Sequence, residues 1–237
     1  MILLHVTDFH FNQRWFDWLL HRAPMHDVVV MSGDMLDLTL ATPPQQQIAW
    51  VSAWLNAFPR PIAVCSGNHD LEWDSANERW TPAYWLRRIA NPLVWTDGQR
   101  VRLNGLSILS IGATTRPKGG MADVWIAHAP PSGTLVATRL NGDDVGDPDL
   151  VAPVRRYAPR LVLSGHVHRP LSWQAHVDGT LYLNPGCNPD APFPNHIVVH
   201  TDRMTTRLVA APRATPHAIE IPLNHPVADD SEALAVA

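Results

Sequence analysis

Cysteine is scarce in this chain: Cys65 and Cys187 are the only two in 237 residues. Two thiols cannot frame a disulfide scaffold, and their rarity suits a reducing compartment. Long apolar runs are missing as well. No stretch reaches the ~18 residues that a membrane-spanning helix needs. The opening MILLHVTDFH has neither the basic start nor the apolar core of a secretory leader. The expectation is a soluble, cytoplasmic protein. Excess positive charge is absent too: 18 Lys and Arg stand against 22 Asp and Glu, a net charge of −4. That balance argues against tight binding to nucleic acid or to an anionic membrane, although a local basic pocket remains open. Repeats of about 20–50 residues are not found, and no linker divides the chain. Hydrophobic residues make up 46%, enough for a large core without staples, since a compact chain of this size buries roughly 70–75% of its unfolded surface. Histidine is plentiful, at 13, and the informative ones stand beside Gly, Asp or Asn.

Short apolar runs at 2–6, 28–31, 62–65, 124–127 and 161–163 read as buried strands. Trp15, Trp18, Leu19 and Arg22 recur at helical spacing over 12–22. Thr42 reads as the N-cap of a second helix with proline in its first turn and Ile48, Val51, Leu55 and Phe58 on its buried face. The segment 71–99, with Trp73, Trp80, Trp85 and Trp95, reads as a helical excursion with loops. Asn104-Gly105 and Asp178-Gly179 each separate two apolar runs and predict tight hairpins. A short helix is expected over 149–158 and a strand at 197–199. The class is mixed, α/β or α+β. Beyond about residue 211 the chain turns Pro-, Ala- and acid-rich, so the expected organisation is one domain over 1–210 and a loosely ordered tail over 211–237.

Five of the strands end on side chains able to donate oxygen or nitrogen to a metal. VVVMSGD ends on Asp34, IAVCSGN on Asn68, LVLSGH on His166, VWIAH on His128, and LLHVTDFH on Asp8 and His10. A glycine before the ligand lets the backbone turn sharply and approach closely, and ligands gather beyond the carboxyl ends of strands in helix-flanked sheets. Each motif alone has a plain structural explanation: a turn-capping Asp, a surface His, a packed strand-end His. Asp8 and His10, two apart, would share a face if strand geometry continued. Convergence of all five on one edge is what points to a metal pocket.

In this order the motifs, Asp8-x-His10, Gly33-Asp34-x-x-Asp37, Gly67-Asn68-His69-Asp70, a lone His128 and Gly165-His166-x-His168, resemble the calcineurin-like metallophosphoesterase superfamily over about residues 1–200. The resemblance implies a four-layer sandwich, two mixed β-sheets face to face with helices outside. It also implies two divalent metal ions, Mn, Fe, Zn or similar. Asp8, His10, Asp34 and His168 would hold one, and Asp34 would bridge to a second held by Asn68, His128 and His166. A metal-bridging hydroxide would attack a small phosphodiester or phosphomonoester. His69 would face the scissile phosphate as acid, oriented by Asp70, with Asp37 open between coordination and a supporting or helix-capping role. The donor set, imidazole and carboxylate without thiolate, suits such ions.

Flanking residues say less. Asn184-Pro185-Gly186-Cys187 reads as a structural turn, and the expected chemistry needs no Cys187 nucleophile. Arg116 and Lys118 could touch phosphate but read more simply as a solvated loop. Trp73, Trp80 and Trp85 could wall a leaving group, with a small satellite core as the plainer account. Leu38-Thr39 stands where protein phosphatases of the superfamily carry Arg-Gly, which weighs against that role. Two other readings compete: a protein-binding scaffold on the same fold, and a weak metal-dependent nuclease. Oligomeric state has no signature here.

Overall fold

The computed structural model describes residues 1–115, 117, 120–203 and 205–210, and the backbone of 219–222. Arg116, Lys118 and most of the expected tail lie outside the described residues. In chain order the strands are β1 (Ile2–Val6), β2 (Val28–Ser32), β3 (Ile62–Cys65), β4 (Glu72–Asp74), β5 (Arg79–Thr81), β6 (Val94–Trp95), β7 (Arg100–Leu103) and β8 (Leu106–Ile111). They continue as β9 (Val124–Ala127), β10 (Leu161–Leu163), β11 (Gln174–Val177), β12 (Thr180–Leu183), β13 (His196–His200), β14 (Thr205–Val209) and β15 (Ile219–Pro222). The α-helices are α1 (Gln13–Arg22), α2 (Pro44–Ala57) and α3 (Val151–Tyr157).

Two sheets carry the fold, in the orders β15-β14-β13-β1-β2-β3-β6 and β11-β12-β10-β9-β8-β7. Each has a parallel run, β1-β2-β3-β6 in the first and β12-β10-β9-β8 in the second; antiparallel strands follow on the β1 side of the first and flank the second on both sides. Strand alternation sorts the side chains into layers. From the first sheet Leu3, Val28, Val30 and Cys65 face inward and meet Ile108, Val124, Ile126 and Leu163 of the second. The alternate residues Leu4, Val6, Val29 and Met31 face outward under Trp15, Phe16 and Leu19 of α1 and Val51 and Leu55 of α2. On the opposite outside, Leu109, Trp125 and Val162 pack beneath Leu150 and Val154 at α3. This is the four-layer sandwich the sequence resemblance implies. Each fully buried aliphatic side chain in the middle layer contributes roughly 1.5–3 kcal/mol.

Both hairpins form as expected, with Asn104 and Gly105 at φ 46° and 86° and Asp178 and Gly179 at φ 50° and 80°. Two local expectations need correction. Segment 71–99 is not a helical excursion: β4 and β5 make a hairpin with Trp73 opposite Trp80, and only Tyr84–Arg88 coils, as a 3₁₀ turn. Asp74 Oδ1 accepts from the Ala76 and Asn77 N–H groups and sets the turn between the strands. Thr42 does not cap α2, whose N-cap position is Pro43; instead its carbonyl accepts from Gln47 Nε2 at 2.8 Å. Residues 219–222, placed with the tail by composition, pair with β14 as the edge strand. No helix among the described residues is long and apolar enough to cross a membrane.

His5 lies wholly buried between the sheets with Nε2 2.8 Å from Ser32 Oγ, and burial pulls its pKa down to about 3. The folded state therefore keeps it neutral where the unfolded chain, with an ordinary value near 6.5, takes up a proton. Its stabilising contribution is complete above pH 6.5 and lost as pH falls towards 3. Between pH 6.5 and 5 the metal-free protein is expected to lose about 2 kcal/mol on this account. His5→Leu should flatten that slope in urea denaturation series. An unchanged slope would show that His5 is not the group responsible.

Candidate metal centre

The parallel runs place the carboxyl ends of β1, β2 and β3 beside those of β9 and β10. Beyond these ends the chain leaves strand geometry. Asp8, His10, Asp34 and His166 all sit at positive φ, 53°, 45°, 52° and 65°, a conformation costing about 1–3 kcal/mol each that clusters at functional sites. Asp8 and His10 thus reach one pocket through a turn and not through strand alternation as expected. The His10 and Phe11 N–H groups donate to the Asp34 and Met35 carbonyls, lashing this turn to the one after β2.

The donor atoms converge in overlapping groups: Asp8, His10 and His168; His10, Asp34 and His69; Asp8, Asp34 and His128, each with ligand atoms within 4.8 Å of one another. His10 Nε2 and His168 Nε2 are 3.0 Å apart, with Asp8 Oδ1 3.9 and 3.5 Å from them. His128 Nε2 lies 3.1 Å from Asp34 Oδ2 and 3.1 Å from Asn68 Oδ1. His166 stands ring to ring with His128, centroids 5.1 Å apart. All seven expected ligands are therefore gathered at one place. Imidazole lone pairs converging with buried carboxylates, and no thiol among them, make a donor set that fits borderline divalent cations. His128 is oriented from behind: its Nδ1–H donates to the Ser32 carbonyl at 2.8 Å, which turns Nε2 towards the site.

The electrostatics match a site built around positive charge. Burial opposes ionisation of Asp34 and Asp8, yet His128 holds the first and His168 chiefly the second below the ordinary carboxylate range. Burial likewise disfavours a charged His128, but Asp34 and then Asp8 override it and raise the imidazole to about 10. Burial lowers His10 and His166, which favours the neutral, lone-pair-bearing form of each ring. The Asp8 hydrogen bond raises His168.

Two side chains take places the sequence reading did not foresee. Asp70 does not hold the His69 ring: its carboxylate accepts from the Leu36 and Gly67 N–H groups at 2.9 and 2.8 Å. Fully buried, it ties the turns after β2 and β3 together, and burial, with Asp34 nearby, pushes its pKa up to about 8. Asp37 is the carboxylate that faces His69, with Oδ1 3.8 Å from Nδ1, while also capping its own turn through the Thr39 N–H and hydroxyl. His69 Nδ1 accepts from the Leu38 N–H at 3.3 Å, so the ring proton rests on Nε2. His69 lines the cavity with its ring 4.9 Å from that of His10.

The Asn184 turn is structural. Its amide donates to the Gly165 and Val167 carbonyls and so braces the loop bearing His166 and His168. Cys187 is buried with its thiol pushed up by burial, Sγ 3.4 Å from the Asp8 carbonyl, and no nucleophile. Trp85 is core and donates to the Asp70 carbonyl, whereas Trp73 and Trp80 pair on the exposed hairpin; none of the three lines the metal cavity. That cavity, of about 590 Å³, is walled by His10, Asp34, Asn68, His69, His166 and His168 together with Arg139, Leu140, Asn141 and Arg169. The sequence reading missed the last four; only the place of Arg169, directly after His168, could have flagged one of them. A smaller pocket of about 320 Å³, walled by Ile111, Val145 and Leu150, adjoins Asn68 and His166 on the other side.

The sequence profile of the calcineurin-like phosphoesterases matches residues 1–170. No curated protein sequence matches the chain. Among solved structures, a protein of Thermus thermophilus superposes with a TM-score of 0.62 at 12% identity, over 89% of this chain and 99% of that one. An archaeal phosphodiesterase gives 0.53 at 15%, over 88% and 99%. A purple acid phosphatase from yellow lupin (Lupinus luteus) seeds gives 0.57 at 11%, over 92% of this chain and 52% of the lupin enzyme. Likeness at such identities speaks for the fold, while the profile match spans most of the chain and takes in every motif that supplies a donor. The chain belongs to the calcineurin-like phosphoesterase family.

Proposed function

We propose that this protein is a metal-dependent phosphoesterase that hydrolyses a small phosphodiester or phosphomonoester at a two-cation centre. The observation that carries the reading is the meeting of seven nitrogen- and oxygen-bearing side chains from five strand ends at one place, five of them lining one cavity. Asp8, His10 and His168 would hold one cation, and Asn68, His128 and His166 the other. Asp34 suits the bridging place, because Oδ2 lies 3.1 Å from His128 Nε2 and 4.0 Å from His10 Nε2, between the two sets. When bound, the two cations supply Lewis acidity and an acidified water as nucleophile.

The chain itself does the rest. Asp34 Oδ1 accepts the His69 N–H at 2.9 Å, so the bridging carboxylate also positions the backbone of His69. With Nδ1 engaged by Leu38, His69 presents Nε2–H to the cavity, where it can donate a hydrogen bond that steadies an equatorial phosphoryl oxygen or the departing oxygen. The ordered turns after β1, β2 and β3 hold these groups ready before substrate arrives.

Protein reconstituted with Mn²⁺ is expected to hydrolyse bis(p-nitrophenyl) phosphate or p-nitrophenyl phosphate. No turnover of either, with two cations verified per chain, would sink the proposal. His69→Gln should lower kcat about 100-fold while the chain keeps both cations. A variant that instead loses a cation would make His69 a ligand, as its grouping with His10 and Asp34 allows.

A further inference from the structure

Two guanidiniums open onto the metal cavity, and neither is used by the proposed chemistry. Arg139 and Arg169 are both exposed and both line the cavity together with His10, Asn68, His69 and His168. They come from segments 30 residues apart that the fold lays side by side. Arg139 is bridged antiparallel to Pro170, next to Arg169, and the Leu171 N–H donates to the Thr138 carbonyl at 2.7 Å.

The loop carrying Arg139 is well anchored. The Arg139 N–H donates to the Asp143 carbonyl at 2.8 Å, the Gly142 N–H to the Arg139 carbonyl at 2.9 Å, and the Val145 N–H to the Ala137 carbonyl at 3.1 Å. The nearest acids in sequence are engaged elsewhere: Asp143 Oδ2 accepts from Asn141 Nδ2, and the Asp144 carboxylate from the Gly133 and Gly146 N–H groups. Among the described residues neither guanidinium has an ion-pair or hydrogen-bond partner. Two neighbouring cations repel, so their placement at one cavity rim disfavours the ligand-free protein slightly and favours any anion that sits between them. Guanidiniums bind carboxylate and phosphate through paired N–H donors, which suits them to that task.

The scissile phosphate does not need them. Its charge falls to the cations and to His69, whereas Arg139, from the loop after β9, and Arg169, the residue after His168, lie side by side on the wall of the same cavity. We infer that the substrate carries a second anionic group, a carboxylate or a further phosphate, on one arm of the ester, and that Arg139 and Arg169 clamp it. This rests on the proposed phosphoesterase reading and narrows it: the preferred substrate is a phosphoester with an additional negative charge beyond the scissile phosphorus.

A matched pair of non-hydrolysable ligands tests it: 3-phosphonopropionate, and propylphosphonate, which lacks the carboxylate. Calorimetric titration of metal-reconstituted protein should give about 10-fold or more tighter binding of the carboxylate-bearing ligand, as expected for charge-assisted hydrogen bonds. The preference should shrink as salt is raised, because the guanidiniums are exposed. In the double variant Arg139→Gln/Arg169→Gln the ratio of the two affinities should fall to near one. Both side chains are exposed, so an unchanged melting temperature should show that the variant folds. Equal affinities in the wild type would overturn the inference. A preference that survives in the double variant would also overturn it, placing the carboxylate on the cations. Equal loss of both ligands in the variant would do so too, placing the arginines on the phosphonate itself. If p-nitrophenyl esters are turned over without this discrimination, the inference alone fails. If no ester is turned over and neither phosphonate binds the metal-loaded protein, the phosphoesterase reading falls with it.

Discussion

Asp34→Asn is expected to cost on the order of 10³ in kcat while leaving the fold intact. Asp34 sits at φ 52°, a left-handed conformation that asparagine adopts as readily as aspartate. The amide oxygen can still accept the His69 N–H, the 2.9 Å bond that Oδ1 makes now. The substitution removes the negative charge and one acceptor at the point between the two donor sets, where two cations would otherwise repel each other. Losing about 4 kcal/mol of charge stabilisation in the transition state corresponds to that rate effect. Three measurements follow it: kcat on bis(p-nitrophenyl) phosphate, cation content by elemental analysis, and melting temperature. In the metal-free protein a fourth is available. His128 owes its raised pKa of about 10 first to overcoming burial through Asp34, so the ring should titrate lower in the variant by NMR. Wild-type turnover with full cation content in Asp34→Asn would remove Asp34 from the bridging role.

The donor side chains that meet at the centre were legible because their signal is local. Each stands within a few residues of a short apolar run, and a buried strand followed by glycine and a polar residue is written contiguously in VVVMSGD, IAVCSGN and LVLSGH. The sandwich followed from the same motifs through resemblance, and the two hairpins from Asn-Gly and Asp-Gly at two-residue spacing. What stayed hidden depends on contacts between distant segments. Nothing near Asp70 announces that its carboxylate serves Leu36, 34 residues earlier. The facing of Asp37 and His69 arises only once the turns after β2 and β3 lie together. Arg139 and Arg169 become neighbours through the pairing of Thr138 with Leu171, two loops with no periodicity to read. The hairpin of β4 and β5 was missed for a different reason: strands of three residues are too short for alternation to show, and its tryptophan pair is cross-strand and not sequential. Local pattern thus marked the donor residues, and tertiary packing set the wiring around them.

Gly67→Ala should show how far the centre depends on that packing. The sequence motif asks for glycine before the ligand, and the structure says which atoms require it. A Cβ at Gly67 would strike Asp34 Oδ1, and would lie 2.5 Å from the Asp34 nitrogen and 2.8 Å from its Cγ. The nitrogen is main chain, so the clash cannot be relieved by swinging a side chain alone; the turn after β2 must back away from the turn after β3. Both turns are held by Asp70, which accepts from Gly67 on one side and Leu36 on the other. Overpacking of this kind costs about 1–3 kcal/mol, roughly 2–4 °C in melting temperature for each kcal/mol in a chain of this size. The larger consequence is at the metal. Asp34 and Asn68 flank the position, and their displacement should weaken cation binding about 10–100-fold, as loss of supporting contacts around a metal does. Gly179→Ala is the control: its Cβ meets nothing within 4 Å, and its φ of 80° makes the substitution strained but remote from the site. It should lower stability by about 1 kcal/mol and leave cation affinity alone. If Gly67→Ala loses stability but binds cations as the wild type does, the close approach is a packing device only. If affinity falls well beyond anything Gly179→Ala produces, the glycine is there so that two strands can bring Asp34 and Asn68 to the same cations.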